Sequence, residues 1–283
     1  SAIQAISRSW TQPGFTPEQT SKEVQAAISG ARKKGFDRSV SGREIQQADG
    51  LKFFSLDELA NEPPPQMLIK DIFPERGVAI IYGATGSMKS FLMITMAMHV
   101  ALGLDLGDQA VKQQPVLILL NEGQAGFSLR CEAWLKRNGR QRPENFRIAK
   151  MTPNLTHDSP NDHFIKLAEA MNFRPGLIVI DSFSKATFGG DDNSTSEMAR
   201  AMGAADQLAA HFDALVVLVD HVGKDQKKGV RGAYAKQANA DMVGKVTNSD
   251  NRVKLITTKQ KEAEADRKFV FQVAMTDMPI PDD

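Results

Sequence analysis

Short β-like runs punctuate the middle of the chain at Val78–Tyr82, Val116–Leu120, Phe146–Lys150, Leu177–Ile180 and Leu215–Val219, and longer stretches of helical character separate them. Runs this short, rich in Val, Ile and Leu and mostly without polar alternation, are the mark of strands buried on both faces. Their alternation with helices predicts an α/β fold, a mostly parallel sheet with helices on both faces. After Gly223 the pattern changes. A Gly- and Lys-rich loop precedes three further strand candidates, Met242–Thr247, Val253–Thr258 and Phe269–Ala274, whose close spacing predicts antiparallel or mixed pairing at one sheet edge. Upstream, residues 1–60 read as a small helical appendage and linker. It carries two helix-like pieces, one capped at Thr16-Pro17-Glu18 and running through Lys22–Lys34, and then a polar stretch from Arg38 to Gly50. The prolines of Asn61–Pro65 (NEPPP) forbid helix and supply no N–H donors, so the main domain is expected over residues 61–283.

Composition narrows the function classes. Lys plus Arg number 35 against 34 Asp plus Glu, so any polyanion site has to be a local patch. The lone Cys131 and the lack of a long apolar stretch leave disulfides, zinc clusters and membrane spans unsupported, and a cytoplasmic, reducing setting is expected. A start at Ser1 without a charged and apolar leader suggests a processed or excised chain.

Between the first run and the first long helical stretch lies GATGSMKS, Gly83 to Ser90, the placement a phosphate-binding loop requires. Backbone N–H groups from Gly83, Ala84, Thr85, Gly86, Ser87, Met88, Lys89, Ser90 and Phe91 can converge on phosphate oxygens. Lys89 adds a point charge, and the Ser90 hydroxyl can ligate the Mg²⁺ that bridges two phosphates of ATP. The pattern G-x-x-x-x-G-K-[ST] is broken at one place, where Met88 replaces its second glycine. Asp181, ending LIVID, supplies the carboxylate on the metal side, unless it merely caps a strand. Glu122, just past PVLILLN, can orient or deprotonate an attacking water if it does not simply face solvent in its loop. His221, at the end of ALVVLVDH, can contact the γ-phosphate and pass its loss to the following loop, or be a satisfied core or loop residue. That loop carries Lys224, Lys227, Lys228, Arg231 and Lys236 against the single acid Asp225, a charge pattern suited to the phosphates of single-stranded DNA or to a solvated loop. A second basic group, Arg130, Lys136, Arg137, Arg140, Arg142 and Arg147, reads as the solvated face of a helix and its exit loop. An NAD-dependent dehydrogenase is disfavoured because no G-x-G-x-x-G follows the first strand.

Taken in order, GATGSMKS, LLNEG, LIVIDS, DHVGK, KGVRGAYA and TTKQK resemble the RecA-like P-loop ATPases of the hexameric replicative-helicase kind, nearest to the plasmid and phage branch. The resemblance spans residues 65 to 275. It implies a RecA-like ATPase core, a homo-oligomeric, hexameric ring, ATP hydrolysis at subunit boundaries and movement along single-stranded DNA. Within it Glu122 is similar to the catalytic base, His221 to the sensor and Arg231 to a channel-loop residue. Lys259 and Lys261 are similar to the basic finger that reaches a neighbour's γ-phosphate. The chain departs from the family pattern at Met88, at Asp220, where histidine is frequent, and at Lys261, where arginine is. The appendage, through Trp10, FTPEQ and GARKKGF, resembles the region after a primase catalytic domain in phage fusions, which implies a fused or associated primase or polymerase module. A non-translocating ATP-dependent DNA-binding protein, recombinase-like or regulatory, is the alternative from a different class.

Overall fold

The computed structural model describes residues 54–61, 64–157, 161–188, 194–221 and 233–278, with isolated positions between 16 and 29. The chain divides into two units, residues 1–62 and 63–283. In the first, Thr16 and Gln19 exchange the hydrogen bonds of a helix start, with Thr16 N–H donating to Gln19 Oε1 at 2.8 Å and Gln19 N–H to Thr16 Oγ1 at 3.3 Å. A short helix, α1 (Leu56–Ala60), follows; Ser55 and Glu58 make its reciprocal cap. The second helical piece and the Arg38–Gly50 stretch lie outside the described residues.

The second unit opens with a two-stranded antiparallel ladder, β1 (Met67–Ile69) and β2 (Phe73–Pro74), too short to leave a periodic signal in the sequence. The main sheet has eight strands. They are β3 (Gly77–Gly83), β4 (Val116–Leu120), β5 (Phe146–Ala149), β6 (Leu177–Asp181), β7 (Leu215–His221), β8 (Met242–Ser249), β9 (Arg252–Gln260) and β10 (Lys268–Gln272), in spatial order β10-β9-β8-β3-β7-β6-β4-β5. Every pairing from β8 across to β5 is parallel, and β9 and β10 add antiparallel pairings at one edge. The helices α2 (Lys89–Leu102), α3 (Phe127–Asn138), α4 (Asp162–Ala170), α5 (Phe183–Ala186), α6 (Thr195–Phe212) and α7 (Ala233–Asn239) complete the unit.

Period-two alternation sorts the strand residues between two cores. Ala79, Ile81, Ile118, Val179 and Val217 face one core, which contains the apolar side chains of α2 and α3. Val78, Ile80, Leu119, Ile180 and Leu218 face the other, with α5 and α6. Both faces are covered, which is why these strands read as continuous apolar runs. Helix α6 approaches its core with Ala201, Ala204, Ala205 and Ala209, small side chains that let it lie close to the sheet. Among the described residues no helix is long and apolar enough to cross a membrane.

Candidate functional site

Cross-strand register brings the functional residues together. Gly83 pairs with His221, Asp181 with Val219 and Leu120 with Asp181, so the carboxyl ends of β3, β7, β6 and β4 end side by side. This is the edge of a parallel sheet where ligands bind.

The loop after β3 is built as an anion cradle. A Cβ on Gly83 would lie 2.3 Å from the Val246 carbonyl and 2.7 Å from Ser87 Oγ, so only glycine fits where the loop folds back. Gly86 has φ +79°. Met88 also has a positive φ, 66°, and forms the N-cap of α2 without a side-chain hydrogen bond. Its half-buried side chain packs on the α2–α3 core instead. The first turn of α2 holds no acidic residue either. Helix α6, by contrast, is capped by Ser194, which accepts from the Glu197 N–H. The uncapped amides at the start of α2 remain available to phosphate oxygens.

Lys89 is buried, and its Nζ donates to the carbonyls of Gly83 at 2.9 Å and Ala84 at 3.0 Å. Burial pushes its pKa down, against the pull of the Asp181, Asp220 and Glu122 carboxylates. The Ser90 hydroxyl donates to Asp181 Oδ2 at 2.7 Å. Burial pushes the Asp181 carboxyl above its ordinary value, while the Ser90 hydrogen bond opposes the shift. Its folded-state pKa therefore exceeds the unfolded one. The stabilisation this brings is present in acid and is lost as pH rises through the folded value, so the ionised carboxylate at neutral pH costs stability. A cation placed on the Ser90–Asp181 pair relieves that cost.

Glu122 follows the end of β4. One carboxylate oxygen accepts from Ser182 Oγ at 2.9 Å, and the other lies 3.6 Å from His221 Nε2. His221 Nδ1 stands 3.4 Å from Lys89 Nζ. Since the ammonium can only donate, Nδ1 accepts and Nε2–H faces Glu122. Ser182, fully buried and 3.1 Å from Ser184 Oγ, is a site residue that sequence patterning passed over; its position right after Asp181 is the one signal it left. Asp220, at the tip of the same strand as His221, is buried and accepts from Lys236 Nζ at 2.9 Å, while that ammonium sits 4.6 Å from the Phe183 ring centroid. Phe91, expected at the nucleotide, is half-exposed with the Arg130 guanidinium 5.6 Å from its ring centroid.

Arg130 departs from expectation. It is half-buried between Phe91 and Phe127, not part of a solvated helix face. Lys259 and Lys261 lie elsewhere. β9 runs antiparallel to β8, with Met242 opposite Gln260, and Met242 pairs with Ala79 near the start of β3. Both lysines therefore stand at the end of the sheet opposite Lys89. Lys259 Nζ donates to the carbonyls of Gln237 at 2.7 Å and Ala238 at 3.0 Å, and Lys261 Nζ to Asp241 at 2.7 Å. Burial lowers the pKa of Lys259, and the Asp241 hydrogen bond raises that of Lys261. Lys224, Lys227, Lys228 and Arg231 lie outside the described residues.

The donor set fits Mg²⁺. No cluster of three or more His, Cys, Asp or Glu forms a metal cage among the described residues, and Mg²⁺, which keeps waters and phosphate oxygens, asks for only one or two protein ligands. Ser90 and Asp181 would hold it. When bound, the ion neutralises phosphate charge and orients the terminal phosphoryl group. Lys89 and the amides of the loop would bind the phosphates, and Glu122, held by Ser182 and faced by His221, is placed to accept a proton from water.

The fold is like that of a solved structure described as an ATPase domain, with 13% identity, a TM-score of 0.50 and coverage of 69% of this chain and 81% of that one. It is also similar to the RadB recombinase, with 15% identity, a TM-score of 0.49 and coverage of 71% and 88%. No curated protein matches the sequence. A family model described as an AAA domain matches residues 47–227, a span that takes in the Gly83–Ser90 loop, Glu122, Asp181 and His221 and stops before β8. The chain belongs to this AAA domain family, and its fold is like that of an ATPase domain.

Proposed function

We propose that this chain is an ATP-hydrolysing motor, a ring-forming replicative DNA helicase that translocates on single-stranded DNA with ATP and Mg²⁺. The observation that carries the ATPase half is the meeting of Lys89, the Ser90–Asp181 pair, Glu122 and His221 at four neighbouring strand ends. In this reading Lys89 supplies phosphate charge, Ser90 and Asp181 hold the metal, Glu122 activates water and His221 contacts the γ-phosphate. The ring reading is supported by Lys259 and Lys261, which stand across the sheet from their own chain's Lys89 and so serve as a finger only for the site of a neighbouring copy. To do so they exchange the Gln237, Ala238 and Asp241 oxygens for phosphate oxygens. In this reading a hexamer threads DNA past Lys224, Lys227, Lys228 and Arg231, works in the cytoplasm in replication of a phage or mobile element, and is joined to a primase or polymerase module.

The test is ATP turnover with and without single-stranded DNA, beside unwinding of a forked duplex. Turnover raised by DNA, strand separation, and loss of both in Lys89→Ala are expected. Nucleotide-dependent DNA binding with no strand separation would favour the non-translocating alternative. No hydrolysis under any condition would overturn the ATPase itself.

A further inference from the structure

We propose that Arg130 is a positioning residue for the Glu122 carboxylate, clamping the Glu122–Gly123 turn against the first turn of α2. Its Nη2 donates to the Gly123 carbonyl at 2.7 Å. Its guanidinium carbon lies 5.6 Å from the Phe91 ring centroid and 5.7 Å from that of Phe127. Phe91 directly follows Ser90, and Gly123 directly follows Glu122. One planar cation therefore links the side chain next to Ser90 to the backbone next to Glu122.

Two further observations set this apart from a basic residue on a helix surface. Gly123 has φ +61°, a left-handed backbone that favours glycine, and a Cβ there would stand 2.9 Å from Arg130 Nη2, so a side chain at this turn would push the guanidinium off its seat. Arg130 Nε is buried without a hydrogen-bond partner. An arginine free to turn outward would hydrate that N–H, and this one keeps the unpaired donor in order to hold its place between the rings. Upstream, the Asn121 N–H donates to the Asp181 carbonyl at 2.9 Å. Glu122 thus sits between a backbone bond to the end of β6 and the Arg130 clamp. Gln124, through Nε2 to the Leu120 carbonyl at 2.9 Å and the Lys150 carbonyl at 3.1 Å, holds the turn to the end of β4 and to the residue after β5. Arg130 is what fixes it relative to α2.

This inference rests on Glu122 as the water-activating group. It is tested in the full chain with Arg130→Gln, Arg130→Lys and the double variant with Glu122→Gln, reading kcat, KM, ATP affinity and amide hydrogen exchange across residues 121–126. Displacement of a catalytic group by about 1 Å costs on the order of 100-fold, so Arg130→Gln is expected to lower kcat by about that factor with ATP affinity unchanged. Lysine does not restore it, because an ammonium cannot lie flat between two rings while donating to the turn. In the Glu122→Gln background the second substitution adds almost nothing, since residues acting as a unit are not additive. Full additivity there, or a fall in ATP affinity that accounts for the whole loss, would overturn the clamp. Hydrogen exchange separates failure of the clamp from failure of the ATPase reading. Faster exchange at 121–126 in Arg130→Gln supports the clamp even in a protein that does not turn over, and unchanged exchange contradicts it.

Discussion

A methionine at φ 66° costs roughly 1–2 kcal/mol relative to glycine, and Met88 bears that cost in the loop that carries Lys89. Its half-buried side chain offsets part of it by packing on the core beside α2. Met88→Gly relieves the backbone and loses the packing, so unfolding free energy measured in urea should change by no more than about 1 kcal/mol, with ATP binding retained. Met88→Val puts a β-branched residue at the same φ and should cost about 1–3 kcal/mol. If both variants lose stability equally, the backbone conformation is not what distinguishes this position. The sequence pattern marked Met88 as a break without saying how the loop absorbs it, because φ and the direction of a side chain are not encoded in residue spacing. Ser182 and Arg130 were hidden for a related reason. Ser182 meets Glu122 from sixty positions away, and Arg130 looked like one of several exposed cations until α3 turned it toward Phe91.

Strand ends carry most of the chemistry at the next scale up. Glu122, Asp181 and His221 stand at or just beyond the last residues of apolar runs, and Lys89 opens the helix after the loop that follows β3, so the runs legible from hydrophobicity also pointed to the candidate site. What apolar runs do not carry is pairing order, and the insertion of β6 and β7 between β3 and β4 follows from tertiary packing. β1 and β2 are too short to show any period. Asp220 looked like a departure from a family pattern, whereas its carboxylate is one half of a buried ion pair with Lys236 that ties α7 to the tip of β7. Removing one partner of such a pair leaves a buried charge, so Lys236→Ala should lower unfolding free energy by about 3–5 kcal/mol. Adding Asp220→Asn to that variant should recover part of the loss. Equal stability of Lys236→Ala and the parent in urea would show that the pair does not anchor the helix.

Across the whole molecule the sheet has two working ends. The carboxyl ends of its parallel strands gather Lys89, Ser90, Glu122, Asp181 and His221, and the opposite end carries Lys259 and Lys261. In the proposed ring Lys259 and Lys261 act on a neighbour's site, because a single chain cannot bring both ends of its sheet to one phosphate. At the heart of the proposed function lies the proposed role of Glu122 as the group that activates water for ATP hydrolysis at the Lys89–Asp181 site. The most direct measurement is Mg–ATP turnover by Glu122→Gln beside its ATP affinity. Loss of a general base costs roughly 10²–10⁴-fold, so turnover should fall by that factor while ATP affinity stays within a few-fold of the parent's. Parent-level turnover in Glu122→Gln would contradict the claim.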